Sequence, residues 1–221
     1  MENKTLILNK AVSLFSVKGF DGVGVQEICT ESNITKPTLY YYFSSKAGLL
    51  SAIIETYGNE YLERIGKAAQ YRRDFIGSLT DLLLCVAEFA LKGAEYTEFF
   101  RLHCALSTAS ELSEGGKIYR PFAERVEKVF AAFFKESANE IGNMRGKEEF
   151  FARIFQGTCR SVALEVCHHV DEGQRELQAE GHREVRGGEV FAGGSASESI
   201  TVNRELIHSV VHAFAYGVVN G

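Results

Sequence analysis

Two prolines in 221 residues are too few to punctuate a chain of short strands, and no stretch alternates apolar with polar residues for a useful length. A sheet architecture is thereby excluded, which leaves helices. Nor is any stretch free of charge for the ~20 residues that cross a bilayer: the best, 75–94, holds Asp81, Glu88 and Lys92, and 208–221 is too short. A secretory h-region is missing, because Glu2, Lys4 and Lys10 interrupt the apolar residues of the N-terminus. The five cysteines are odd in number and lack paired spacing, which fits reduced thiols in a cytoplasm and not a disulfide framework. Nucleophile-elbow, Walker and glycine-rich dinucleotide motifs are all absent, so the sequence makes no case for an enzyme or a cofactor.

Positive charge is scarce as well. The net charge of -5 excludes indiscriminate coating of nucleic acid. It is unevenly placed, however. Residues 1–50 hold five lysines (4, 10, 18, 36, 46) against four acids (2, 21, 27, 31), a net +1 that leaves -6 for the remainder. A positive end this modest suits selective more than tight binding of an anionic partner.

What is present is concentrated in Thr35-Lys36-Pro37-Thr38-Leu39-Tyr40-Tyr41-Tyr42-Phe43, with Lys46 just beyond. Thr35 is placed to cap a short helix, Pro37 sits in its first turn where a missing N–H is harmless, and Leu39 and Phe43 share a face four residues apart. Ser44-Ser45 stops that helix and opens the next. Upstream, Ile7, Ala11, Leu14 and Phe15 mark one face of a helix over 6–18, which Gly19 ends as a left-handed cap. A helix over 25–32 turns Val25, Ile28 and Cys29 inward, and Ser32-Asn33-Ile34-Thr35 connects it to the short helix. Two short helices joined by about four residues and braced by a longer one make a helix-turn-helix.

Over residues 5–54 the chain resembles the DNA-binding domain of TetR-type transcriptional repressors. The resemblance is carried by Ile7-Leu8-x-x-Ala11-x-x-Leu14-Phe15-x-x-x-Gly19-Phe20, Val25-x-x-Ile28, and Ile34-x-Lys36-x-Thr38-Leu39-Tyr40-x-Tyr42-Phe43-x-x-Lys46-x-x-Leu49-Leu50. One departure stands out: the family usually caps its second helix with Thr or Ser, whereas Gly24 precedes Val25 here, which removes a hydroxyl that often meets a phosphate. A helix so short enters a major groove by its N-terminal end, so Lys36, Pro37 and Tyr40 are expected nearest the bases, with the Pro37 ring suited to a thymine methyl. The resemblance adds Gln26 as a residue able to reach a base, where its amide would pair with adenine. Thr35, Thr38, Tyr41, Tyr42 and Lys46 complete the expected DNA surface, largely through phosphates; the bland alternative for Tyr40 and Tyr42 is that they finish the small core.

Beyond residue 50 helices are expected at about 46–70, 74–92, 95–109, 117–138, 146–170 and 201–218. The expected architecture is all-α, with a helix-turn-helix domain at 1–50 and a helical bundle at 51–221. Leu79, Leu82, Leu83, Val86 and Ala90, then Val126, Val129, Phe130 and Phe134, recur at helical spacing and belong to its core. Sixteen phenylalanines among many small residues suit an apolar cavity between helices, for which Phe89, Phe99, His103, Phe122, Phe133 and Phe155 are the candidate lining, with ordinary core as the alternative for each. In the resembled family this second domain binds a small molecule and dimerises. Its expected two-helix interface falls here on Ile154, Thr158, Ser161, Val162, Glu165 and Val166, and on Leu206, Val210, Ala213, Phe214 and Gly217. A two-fold axis through them would space DNA half-sites by one helical turn, about 34 Å, or a multiple. Residues 171–199, rich in glycine and charge, read as a mobile loop with at most a turn or two of helix over 174–182.

Three constellations compete with that reading. His208 and His212 have metal-capable spacing without an accompanying glutamate motif, so a packed or solvated pair is expected and no metal. Cys167-His168-His169 reads as a helix end where histidine meets the dipole. Cys104, Cys159 and Cys167 would serve a redox switch or, more simply, the core. The expected function is a homodimeric regulator that binds double-stranded operator DNA and is released from it by a small apolar or amphipathic effector. The alternatives are a thiol- or metal-sensing regulator on the same DNA-binding domain, and a helical enzyme.

Overall fold

The computed structural model describes residues 2–109, 112–138, 141, 144–184 and 204–219. Every regular element among them is helical. Helix α1 (Glu2–Lys18) ends at Gly19, whose φ of 73° is the left-handed conformation that glycine adopts without a Cβ penalty. Helix α2 (Val25–Glu31) and α3 (Lys36–Phe43) come next, joined through Ser32 and through Asn33, which takes φ 52°. Asparagine tolerates that region better than most residues. Ile7, Ala11, Val12, Phe15, Ile28 and Leu39 are fully buried and pin the three helices together. Each large side chain among them contributes about 1.5–3 kcal/mol through burial. Leu14, expected on this face, is only half-buried.

Helix α4 (Lys46–Ile53) runs through a π-helical turn (Ile54–Gly58) into α5 (Asn59–Ala68), so one continuous rod joins the helix-turn-helix to the bundle. A π turn inserts one residue and so rotates the helix beyond it. It brings Gly58 against Phe122, where a Cβ would stand 2.7 Å from Phe122 Cε2. The bundle continues with α6 (Phe75–Ala90), α7 (Ala94–Ser107), α8 (Glu114–Ser137), α9 (Glu148–Glu184) and α10 (Arg204–Val219). Asp74 and Ser113 cap α6 and α8 by accepting from Gly77 N and Gly116 N. Helix α6 packs on α5, α9 and α10, while α8 lies along α9 and α7 along α1.

The expected bundle core is observed. Leu79, Leu82, Leu83, Val86 and Ala90 of α6 are fully buried, as are Val126, Phe130 and Phe134 of α8, with Val129 half-buried. Two expectations change. Helix α9 does not end near residue 170 but continues to Glu184, so the first half of the segment expected as a mobile loop is helical. The run Gln174-Arg175-Glu176-Leu177-Gln178-Ala179-Glu180 consists of strong helix formers, which carry the helix past the ~1 kcal/mol that each of Gly173 and Gly181 costs. The second half, 185–199, lies outside the described residues. Cys167, His168 and His169 are therefore mid-helix, which removes the helix-end role expected for them.

Candidate nucleic-acid interface and effector cavity

The short helix α3 is built as its residues imply. Thr35 caps it, accepting from Thr38 N at 3.4 Å and lying 2.9 Å from Thr38 Oγ1. Leu39 and Phe43 are buried beneath it. Their burial leaves Thr35, Lys36, Pro37, Tyr40 and Tyr41 on the outer side, with Tyr40 45% and Tyr41 84% exposed. Thr38 is half-buried at its base. Gln26 is exposed on α2, and Gly24 caps that helix without any side-chain bond. Tyr42 is divided between roles: half-buried and packed on the small core, its ring 6.1 Å from that of Phe43.

Lys46 has a structural role beside the expected one. Its ammonium is half-buried and donates to the carbonyls of Phe20 at 2.9 Å and Val23 at 3.0 Å, while standing 4.4 Å from the Phe20 ring centroid. Two turn carbonyls and a ring face attract a cation strongly. Lys46 thus clips the α1–α2 turn to α4, and one of its three donors remains for a phosphate. Lys18 and Glu27 pair beside this turn, which holds Lys18 above and Glu27 below their ordinary pKa values.

A cavity among the described residues lies elsewhere than the phenylalanine pattern suggested. Phe89, Phe99, Phe122, Phe133 and Phe155 are each at most 3% exposed and pack ring on ring, as with Phe99 and Phe122 at 6.3 Å between centroids. Such edge-to-face packing fills space that a ligand would need. Of the six expected lining residues only His103 borders the cavity, a space of about 360 Å³ between α7, α8 and α9. Its inner wall joins His103, Ser107 and Tyr119. The Tyr119 hydroxyl meets His103 Nδ1 and lies 3.4 Å from Ser107 Oγ, and Ser107 donates to the His103 carbonyl at 2.6 Å. Burial holds the His103 ring neutral, its pKa pushed down to about 3, and raises that of the Tyr119 hydroxyl. The outer wall carries Arg120, Glu127, Arg153, Gln156 and Arg160. No local pattern announces this wall: its arginines lie on two helices, Arg120 more than thirty positions from the other two.

Of the expected dimer face, Ile154, Ser161, Glu165, Leu206 and Ala213 are exposed and Thr158, Val162, Val166, Val210 and Phe214 half-buried; the surroundings of Gly217 fall outside the described residues. Phe214 also closes the core, 5.0 Å from Phe155 between centroids. The His208 and His212 rings meet edge to face, 4.2 Å between centroids, on the exposed side of α10, and no group of three metal-capable side chains occurs among the described residues.

The sequence profile of the bacterial regulatory proteins of the tetR family matches residues 7–53, the span from the α1 core to the end of α4. The chain is 30% identical over 137 residues to IcaR of Staphylococcus aureus, the negative transcriptional regulator of the biofilm operon icaADBC, spanning 61% of this chain and 70% of that one. Among solved structures it is similar to AibR in complex with isovaleryl coenzyme A and operator DNA, at TM-score 0.62 and 16% identity over 96% of this chain and 97% of that one. It is likewise similar to FadR of Bacillus subtilis in complex with stearoyl-CoA, at TM-score 0.61 and 12% identity over 97% and 98% of the two chains. The fold, the exposed short helix α3 and these similarities agree: the chain belongs to the TetR family of helix-turn-helix transcriptional regulators.

Proposed function

We propose that this regulator is a repressor whose homodimer grips a near-palindromic operator and lets go when a small amphipathic effector enters the bundle. The carrying observation is that α3 buries Leu39 and Phe43 while holding Lys36, Pro37 and Tyr40 outward beside Gln26 of α2. Base edges would be read by these four, and phosphates met by Thr35, Thr38, Tyr41 and the remaining donor of Lys46. Domain division falls within the α4–α5 rod, so a shift in the bundle has a direct mechanical route to α3. The exposed apolar residues Ile154, Leu164, Leu206 and Tyr216 on α9 and α10 support dimerisation through those two helices.

An amphipathic effector is supported by the cavity, whose walls combine polar groups with Leu106, Ala109 and Ala123, and by the acyl-CoA esters that AibR and FadR hold. Release requires only that the effector bind the DNA-incompetent state better than the DNA-bound one. No helix among the described residues is long and apolar enough to cross a membrane. The reading places the protein on cytoplasmic DNA, acting by binding and not by catalysis. Thiol sensing is disfavoured, because burial pushes the Cys85 and Cys104 thiols up to about 11 and about 12. The test is selection of bound sequences from a random DNA pool, repeated with Tyr40→Ala and Lys36→Ala. A two-fold-symmetric motif lost in both variants is expected; absence of any enrichment at moderate salt would overturn the reading.

A further inference from the structure

The cavity between α7, α8 and α9 gathers positive charge in an acidic chain. Its wall brings Arg120, Arg153 and Arg160 together against the single carboxylate of Glu127, whereas the whole protein carries -5. Arg120 is already engaged, 3.0 Å from Glu124 and 4.0 Å from Glu127. Arg153 and Arg160, seven residues apart on one stripe of α9, form no ion pair with any described residue. Arg160 is half-buried, and its charge is felt at His103 and Tyr119 on the opposite wall. A guanidinium drawn partly out of water without a counter-ion loses hydration that nothing among the described residues returns. An anion seated in the cavity would return it, through the planar two-point pairing that guanidinium offers a carboxylate.

The rest of the lining sets the remaining chemistry. His103, neutral and hydrogen-bonded to Tyr119, adds no charge and lies with Ser107 among polar groups suited to an acid's oxygens. Leu106, Ala109 and Ala123 offer a small apolar surface for an uncharged body. At about 360 Å³ the space is near the lower end of ligand pockets, roughly 300–1,000 Å³, and so suits a compact molecule in preference to an entire coenzyme A ester.

We infer that this cavity is the effector site and that its ligand is a small organic carboxylate, the acid group paired with Arg160 and Arg153 and the apolar body against Leu106, Ala109 and Ala123. The inference rests on the effector-released repressor reading above. It also separates this chain from the acyl-CoA complexes of its structural neighbours, since it places the recognised charge on a carboxylate and not on the phosphates of a nucleotide.

The test uses the full-length protein and a series of straight-chain and aromatic monocarboxylates, each beside its neutral amide, with acetyl-CoA as the nucleotide-bearing arm. Calorimetry measures binding to the protein alone, and displacement from the selected operator measures release. One or more acids should bind, with affinity reduced about tenfold or more for the matched amide and by a similar factor in Arg160→Gln. Arg153→Gln, at an exposed position that perturbs folding little, should weaken the same acid to a lesser degree. Binding that is equal for acid and amide, unchanged in Arg160→Gln, or confined to acetyl-CoA would overturn the assignment, as would no binding by any acid. An acid that binds through Arg160 yet leaves operator affinity untouched would uphold the site and overturn the release reading instead.

Discussion

Gly115, in the first turn of α8, lies against Phe20 of the α1–α2 turn so closely that a Cβ on it would stand 3.0 Å from Phe20 Cδ1 and 3.2 Å from Leu106 Cδ2. Its neighbour Gly116 and, one turn on, Tyr119 and Arg120 line the cavity, and Phe20 is the residue that Lys46 holds by carbonyl and ring. One residue contact therefore links the cavity wall to the DNA-binding domain. A methyl added at Gly115 asks the Phe20 and Leu106 side chains to give by a few tenths of an ångström, while Ala gains up to about 1 kcal/mol over Gly in helix propensity. Gly115→Ala should therefore change stability by no more than about 1 kcal/mol and weaken operator binding beyond what that change explains. Combining it with Phe20→Leu should restore part of the operator affinity. Chemical denaturation and operator titration of the two single variants and the double variant check this, and strict additivity would dissociate the contact from DNA binding.

The α3–α4 junction is tighter still. A Cβ on Gly48 would lie 2.1 Å from the Phe43 carbonyl oxygen, which is backbone and cannot swing aside. Gly48→Ala should therefore tilt α3 relative to α4 and reduce operator affinity by more than about tenfold. The bundle core is remote from this clash. A retained cooperative unfolding transition together with lost DNA binding is the expected pair of results; unchanged affinity would show that α3 tolerates reorientation.

Contacts to phosphate and to bases separate by their salt and sequence dependence. Lys36→Ala, which removes a base contact, should make one operator position permissive and change the slope of log affinity against log salt little. A uniform loss over all sequences, with the slope reduced by about 1, would assign its ammonium to a phosphate instead. Gln26→Ala should relax one position by about 1–3 kcal/mol with the slope intact. Titration over several salt concentrations with matched and mismatched operators distinguishes these outcomes.

Acid should destabilise the bundle through His103. Its ordinary pKa of 6.5 is pushed down to about 3 by burial, with Arg160 adding to the effect, so between those values the unfolded chain binds a proton that the folded one refuses. The contribution is fully favourable to folding above pH 6.5 and declines as pH falls, by about 1.4 kcal/mol per pH unit until the folded pKa is reached. In His103→Gln the stability difference between neutral pH and about pH 5 should shrink accordingly. Urea midpoints for both proteins at the two pH values measure it, and an equal decline in both would assign the acid sensitivity to carboxylates.

Much of this was legible in the chain because its signals are local. A cap at Thr35, a proline in the next turn and a four-residue apolar spacing suffice to specify α3, since each acts within one helical turn. The leucine pattern of α6 likewise marks a helix buried on one face. The cavity was not legible, because aromatic content predicts burial without saying whether rings meet each other or a void. Five of the six expected residues pack on other rings and do not line the cavity. The structural role of Lys46 was hidden for a related reason: only folding brings the Phe20 and Val23 carbonyls, more than twenty residues earlier, within its reach.

The sequence by itself determined that this protein is helical, where most of its helices begin, that its N-terminal domain presents a short polar helix on an apolar base, and to which family it belongs. These depend on spacing and capping, which are properties of neighbours along the chain. Tertiary structure alone decided where the charges of α8 and α9 converge, which glycine touches which ring, and that Arg160 faces His103 and Tyr119 across one cavity. Those relations join residues dozens of positions apart, and nothing short of helix packing brings them together.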